Sequence, residues 1–152
     1  TDLRLSVKDR TWINSDGRAP LERPHVVKIS GTYIAPFGFF ISPTFNWQSG
    51  YPLTRLLFIS DPGSNQTILI EPQGGPDGDD RLDSQMNVNL RVEKAFTIMD
   101  RYRAGIIFDV FNMFNDDTVT GVASNIIQSS AFRRPSAIVG PRFYQVGLRL
   151  IF

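Results

Sequence analysis

From Tyr144 to the end of the chain, odd and even positions separate. Tyr144, Val146, Leu148, Leu150 and Phe152 alternate with Phe143, Gln145, Gly147, Arg149 and Ile151, which gives an extended segment one purely apolar face and one mixed face. The same period recurs at Gln85 to Lys94, where Met86, Val88, Leu90 and Val92 oppose Gln85, Asn87, Asn89, Arg91 and Glu93. Between Arg101 and Asn112, Tyr102, Ala104, Ile106, Phe108 and Val110 oppose Arg103, Gly105, Ile107, Asp109 and Phe111. Two further strands flank Ala35 to Gly38. In the first, Val27, Ile29, Gly31 and Tyr33 oppose Lys28, Ser30 and Thr32; in the second, Phe39, Ile41, Pro43, Phe45 and Trp47 oppose Phe40, Ser42, Thr44, Asn46 and Gln48. A short opening strand sets Leu3, Leu5 and Val7 against Asp2, Arg4 and Ser6. Helical spacing is hard to find, so the chain reads as all-β, with about six strands. Pro43 has no N–H to give a ladder, and a bulge or local break is expected there.

The connections alternate in length. Ala35-Pro36-Phe37-Gly38 and Thr97-Ile98-Met99-Asp100 are short, whereas residues 8–24, 50–83 and 115 to about 141 are long and rich in Gly, Pro, Asp and Ser. An antiparallel up-and-down meander of this kind is the pattern of an outer-membrane barrel, with short turns on the periplasmic side and long loops outside.

A soluble sandwich also alternates, because its apolar face packs on a second sheet. Three features favour lipid instead. The apolar faces carry no charge through their middles; Lys94 and Arg142 share the outward parity but lie at expected strand ends, where a long side chain snorkels. A Lys or Arg at mid-bilayer would cost about 2–4 kcal/mol. Tyr33, Phe39, Trp47, Tyr102, Tyr144 and Phe152 fall near strand ends on the same face, where interfacial girdles lie. The opposite face is built of Arg, Asn, Gln, Asp, Ser and Thr, as a hydrated lumen requires.

Composition narrows the choice further. The 152 residues hold 16 Lys plus Arg against 15 Asp plus Glu, and at 41% hydrophobic and 20% charged they make neither a disordered tail nor a polybasic nucleic-acid binder. With no cysteine, a disulfide framework and a Cys-ligated zinc site are excluded. A spanning helix needs about 20 mostly apolar residues; the run Leu56 to Ile59 is short, and Ile34 to Ile41 is broken by Pro36 and Gly38. The first residue is Thr1 and no secretory signal is visible, so either a signal was removed or the chain is part of a longer protein. Small barrels start at about eight strands, and an open sheet would leave edge N–H and C=O groups in hydrocarbon. The expectation is therefore the C-terminal portion, residues 1–152, of a larger transmembrane β-barrel.

The ordered motifs resemble one family. Residues 141–152, ending Tyr144-Gln145-Val146-Gly147-Leu148-Arg149-Leu150-Ile151-Phe152, resemble the last strand of TonB-dependent outer-membrane receptors. Asp109-Val110-Phe111-Asn112-Met113-Phe114-Asn115 resembles the family's D-x-F-N-x-F-N element, and Ser49-Gly50-Tyr51-Pro52-Leu53-Thr54 its S-G-x-P-Y/F-T segment. Leu90-Arg91-Val92-Glu93-Lys94-Ala95-Phe96 is similar to the strand that enters the penultimate hairpin. Order and spacing agree over residues 25–152, and the loop style is nearest the Oar-like and SusC-like branch.

The resemblance implies a plugged barrel of about 22 strands. It also implies the outer membrane of a Gram-negative bacterium and active uptake of a scarce nutrient, whether a small molecule, a saccharide or a peptide. Tyr144, Val146, Leu148, Leu150 and Phe152 would form the signal read by the barrel-assembly machinery. Further partners would be the bilayer, lipopolysaccharide and, through an absent N-terminal plug region, the TonB complex. No cofactor is implied. A porin or adhesin barrel is one rival; a soluble carbohydrate-binding sandwich, with Trp47 and Tyr51 stacking on sugar, is another.

No catalytic set stands out. His25 is the only histidine and adjoins Pro24 at a strand entrance, and Ser124, Ser129, Ser130 and Ser136 lack nucleophile-elbow glycines, so no enzyme is expected. Asp77, Asp79, Asp80 and Asp83 offer hard oxygen ligands for calcium but lack EF-hand spacing; a solvated loop is the preferred reading. Asn65-Gln66-Thr67 fits a glycosylation sequon that arises easily by chance. Arg133-Arg134 would meet an anion or simply be solvated. The lumen-facing charges are Lys28, Arg91, Glu93, Arg103, Asp109 and Arg149, with a cross-strand ion-pair ladder as the favoured role and contact with a plug or solute as the alternative.

Overall fold

Alternating apolar and β-branched residues do form strands, and the computed structural model describes them over residues 19, 21–61, 66–70, 80–98 and 102–151. The expected opening strand at Leu3 to Val7 lies outside the described residues. The strands are β1 (Val26–Ser30), β2 (Tyr33–Ala35), β3 (Phe39–Gln48), β4 (Leu57–Asp61), β5 (Gln66–Ile70), β6 (Gln85–Ile98), β7 (Tyr102–Phe111), β8 (Val119–Val122), β9 (Pro135–Ile138) and β10 (Phe143–Ile151), with a single 3-10 turn at Pro36–Gly38. The protein is all-β and its named strands pair antiparallel.

The chain divides into two units. One, made of His25–Ser49, Ser84–Thr118 and Val139–Phe152, carries the main sheet in the order β1-β3-β6-β7-β10, with β2 beside β3. The sheet is open, since β1 and β10 do not pair.

Its register tests the strand-by-strand reading of faces, because residues directly opposite in an antiparallel pair point the same way. Ile41 opposes Val92, Val92 opposes Phe108, and Phe108 opposes Val146. On the other parity Ser42 opposes Arg91, Arg91 opposes Asp109, and Asp109 opposes Gln145. The apolar sets read from the strands within the described residues therefore fall on one face of one sheet, and a slip of one residue in any of these strands would have inverted it.

Pro43 acts differently from the expectation. β3 is continuous through it and holds unbroken register with β6, from Phe39 opposite Lys94 to Gln48 opposite Gln85. The break falls in the neighbour: β1 ends at Ser30 and β2 begins at Tyr33, on either side of the point where Gly31 N–H donates to Pro43 C=O. Pro43 can accept that bond but has no N–H to return, so the ladder loses one rung on its edge-strand side alone.

The second unit is built from the described parts of Thr1–Pro24, Gly50–Asp83 and Val119–Ile138. The long connections are not wholly irregular, since they hold the β4–β5 hairpin and the β8–β9 pair, the latter with register shifts at Gly121. These strands have four or five residues each, too short to stand out between Gly- and Pro-rich flanks. Leu53, 6% exposed, is the one buried large hydrophobic among the described residues.

Candidate functional site

The apolar face of the main sheet is left uncovered, which is not the arrangement expected in water. On the apolar face Leu148 is 79% exposed, Leu150 73% and Val146 68%, and Ile29, Tyr33, Ile106, Phe108 and Tyr144 are exposed as well. No described residue of the sheet's own unit buries them. On the polar face Asp109 and Gly105 are buried.

The polar face carries the charged residues expected of it. Arg91 grips Asp109 through two parallel bonds, Nε to Oδ1 at 2.7 Å and Nη2 to Oδ2 at 3.0 Å, between side chains directly opposite on β6 and β7. Arg149 Nη1 donates to Glu93 Oε1 at 2.9 Å, from β10 to β6, two strands away. That diagonal passes over Gly105, the residue opposite Arg149 on β7. A Cβ at Gly105 would stand 3.1 Å from Glu93 Oε1, so the missing side chain opens the passage. Lys28 and Arg103 share this face, exposed and without an ion pair among the described residues. Beside the Arg91–Asp109 pair lies a hollow of about 300 Å³, lined by Ser42, Thr44, Asn89, Arg91, Asp109 and Phe111 among others.

Among the described residues Lys94 is the one charge within a strand on the apolar face, and it is not at the end of its strand as expected, because β6 continues to Ile98. It sits opposite Phe39, where β3 begins, and its ammonium donates to the Phe37 carbonyl with the Phe39 ring centroid 4.3 Å and the Phe96 centroid 5.5 Å away. Arg142 precedes β10, lies over the Tyr144 ring and donates to the Met113 carbonyl at 3.3 Å. Aromatic residues of this face stand at both ends of the strands, Trp47 and Tyr144 at one, Tyr33, Phe39 and Tyr102 at the other. Among the residues expected to direct assembly, Tyr144, Val146, Leu148 and Leu150 lie exposed in one row, while Phe152 lies outside the described residues.

The segment resembling D-x-F-N-x-F-N is a strand end followed by a turn. Asn112 and Asn115 take left-handed backbone, φ 50° and 55°, which Asn tolerates better than most residues. The buried Asn112 amide donates to the carbonyls of Asp116 and Gly140 and accepts from Asp116 N–H. Asn115 Oδ1 accepts from Arg142 N–H, and Asn89 Oδ1 accepts from Asn112 N–H. Asp116, not singled out from the sequence, completes the latch by accepting from Met86 N–H and from the Thr118 hydroxyl and N–H. Burial alone would raise its carboxyl pKa, but these three hydrogen bonds outweigh that and hold it below the usual value. The crowding of Asn and Asp directly after an alternating strand was the available signal.

The S-G-x-P-Y/F-T-like segment belongs to the second unit and pairs with residues 80–82. Leu53 N–H donates to Asp80 C=O at 2.7 Å, Leu82 N–H to Tyr51 C=O at 3.1 Å, and Arg81 Nη1 to Gly50 C=O at 3.1 Å. A Cβ at Gly50 would lie 1.6 Å from the Leu82 oxygen, which explains the glycine. Tyr51 is turned inward, its hydroxyl donating to Thr120 C=O and Arg23 stacked on its ring at 5.3 Å, so this ring offers no open platform to sugar.

Of the calcium candidates, Asp77 and Asp79 lie outside the described residues and Asp83 is exposed. Asp80 is taken by two arginines, Arg55 Nε at 2.8 Å and Arg133 Nη1 at 2.9 Å. Arg133 is thus held rather than merely solvated; Arg134 is exposed. No group of three potential metal ligands occurs among the described residues. Ser124 and Ser129 accept from Ile126 and Ala131 N–H, which makes them turn residues. His25 is exposed and exchanges hydrogen bonds with Ser49 through its backbone. In the sequon, Asn65 lies outside the described residues, while Gln66 and Thr67 belong to β5. No helix among the described residues is long and apolar enough to cross a membrane, which says nothing of strands. Comparison with known proteins adds no relative: no family model, no curated protein and no solved structure matches the chain.

Proposed function

We propose that the chain forms part of the wall of a TonB-dependent outer-membrane receptor, with the face of Val88, Leu90, Ile106, Phe108, Leu148 and Leu150 against lipid and the face of Arg91, Asp109, Glu93 and Arg149 toward an aqueous lumen. The observation that carries this reading is the apolar face, where Ile106, Phe108, Val146, Leu148 and Leu150 stay exposed, while on the opposite face the carboxylates are covered and paired by arginines. In water, leaving several large aliphatic side chains bare forfeits about 1.5–3 kcal/mol each. Hydrocarbon removes that cost and makes charge the thing to hide. Three of the main strands fit in length: β3, β7 and β10 have 10, 10 and 9 residues, against about 9–11 for a tilted strand crossing a bilayer, and β6 runs longer at 14. The lone Lys94 is accommodated by a carbonyl and two rings, and aromatic residues flank the apolar band.

Among membrane barrels, a receptor is favoured by the ordered motifs, each of which has a defined place: a paired strand, an Asn latch and a glycine-dependent close approach. On this reading the complete protein takes up a nutrient, with gating and energy coupling supplied by an N-terminal plug and the TonB complex. The test uses the absence of cysteine. Single-cysteine spin labels at Ile106, Leu148 and Leu150 of the complete protein in lipid vesicles should show high access to oxygen and low access to a polar nickel chelate, with the reverse at Gln145. Water-like or tightly packed signals at Leu148 and Leu150 would overturn the wall; a complete gene without an upstream plug domain would overturn the receptor.

A further inference from the structure

The polar face presents mostly positive charge. Among the described residues six charged side chains lie on it: Lys28 on β1, Arg91 and Glu93 on β6, Arg103 and Asp109 on β7, and Arg149 on β10. Four cations against two anions leave a net charge of +2. The acids are also the covered members. Asp109 is 7% exposed beneath Arg91 at 49%, and Glu93 14% beneath Arg149 at 49%, while Lys28 and Arg103 are exposed. A solute arriving at this face meets guanidinium and ammonium groups, with the compensating carboxylates behind them. Each guanidinium also keeps N–H donors that its carboxylate does not use.

The spread of the cations decides what they suit. From β1 to β10 is four strand spacings, about 19 Å, and Arg103 lies six residues along β7 from the level of Arg91, about 20 Å. One small anion cannot touch them all; a succession of weak sites can pass it along. We propose that the polar face is an anion-selective surface, which concentrates solutes bearing carboxylate or phosphate groups and hands them along the strand direction. This rests on the reading of the sheet as a barrel wall and gives it a substrate class.

The test again uses single cysteines, introduced as Gln145→Cys beside Asp109 and as Ser30→Cys near Lys28, in the complete protein in lipid vesicles. Each is reacted with an anionic sulfonatoethyl and a cationic trimethylammonioethyl methanethiosulfonate. The ratio of anionic to cationic rates should exceed that of a free thiol by about tenfold at low salt. It should shrink as salt rises and fall toward the free-thiol value when Lys28→Glu and Arg103→Glu are added. A ratio at or below the free-thiol value overturns the inference. So does a failure of both reagents to react, since a closed face passes no solute. A spin label at Leu148 in the same preparation separates the two readings. Lipid contact there with a free-thiol ratio sinks anion selectivity alone, whereas water contact there sinks the wall and this inference with it.

Discussion

Glu93 and Arg149 meet at 2.9 Å across an intervening strand, and they do so over a glycine. Without the bare Gly105 on β7, side chains on β6 and β10 would be screened from each other. A Cβ there would come within 3.1 Å of Glu93 Oε1 and 3.7 Å of Arg149 Cβ, so alanine forces a small shift and a branched side chain forces separation. Gly105→Val should therefore lose the pair. Because Arg149 is half-exposed, the coupling itself is worth at most about 1 kcal/mol. A double-mutant cycle of Glu93→Gln and Arg149→Gln, read by denaturant unfolding in lipid vesicles, should give that coupling in the parent protein and none in the Gly105→Val background. An unchanged coupling in that background would show that the glycine is not what lets the pair meet.

Leu148 and Gln145 lie on opposite faces of one strand, and an arginine at each should have unequal effects. At Leu148, 79% exposed and in the middle of the apolar row, Leu148→Arg should cost about 2–4 kcal/mol if lipid covers it. In water so exposed a position would tolerate the change within about 0.5 kcal/mol. Gln145→Arg should be nearly neutral in either case. Equal, small effects from the two substitutions would place both faces in water.

The difference between what alternation reveals and what it hides runs through these residues. Period two is local, so the parity of Arg91, Asp109, Leu148 and Val146 was legible strand by strand, and the register joined those parities into two coherent faces. Partner choice is not local. Arg91 with Asp109 follows once β6 and β7 are adjacent, but Glu93 with Arg149 depends on the gap at Gly105. Pro43 was legible as a lost donor, though not the side on which the loss would fall, which only the strand order decides. The short β4, β5, β8 and β9 were hidden by the turn-forming residues around them. The latch at Asn112 and Asp116 draws on segments far apart in sequence, and only its Asn and Asp content was visible.

Asp116 gives the fold an acid-sensitive point outside the strands. Its carboxyl is held below the usual value, the hydrogen bonds from Thr118 and Met86 outweighing the effect of burial. A depressed folded-state pKa contributes stability that is fully present above the unfolded value, about 3.9, and is lost as pH falls through the lower folded value. The protein should lose stability as pH falls below about 4, and Asp116→Asn should flatten that part of the profile while lowering stability at neutral pH. Unfolding midpoints at pH 7, 4 and 3 would measure both effects, and a parallel profile in the variant would remove Asp116 from the acid response.

Gly50 should prove less replaceable than Gly121, the other described glycine of the second unit. Its backbone runs so close to Leu82 that any Cβ would fall 1.6 Å from a carbonyl oxygen, and a backbone atom cannot swing aside as a side-chain tip can. Gly50→Ala must push residues 50–53 away from 80–82, which breaks the Leu53-to-Asp80 and Leu82-to-Tyr51 bonds that order this segment. Overpacking of this kind costs about 1–3 kcal/mol, which raises the open population roughly 5- to 150-fold. Where opening is fast relative to cleavage, proteolysis reports that population. The rate of protease cutting between residues 50 and 83 should rise by that factor, while Gly140→Ala, with nothing within 4 Å of its added Cβ, should leave it unchanged. Equal rates for the two variants would mean that the contact between Gly50 and Leu82 does not hold the segment in place.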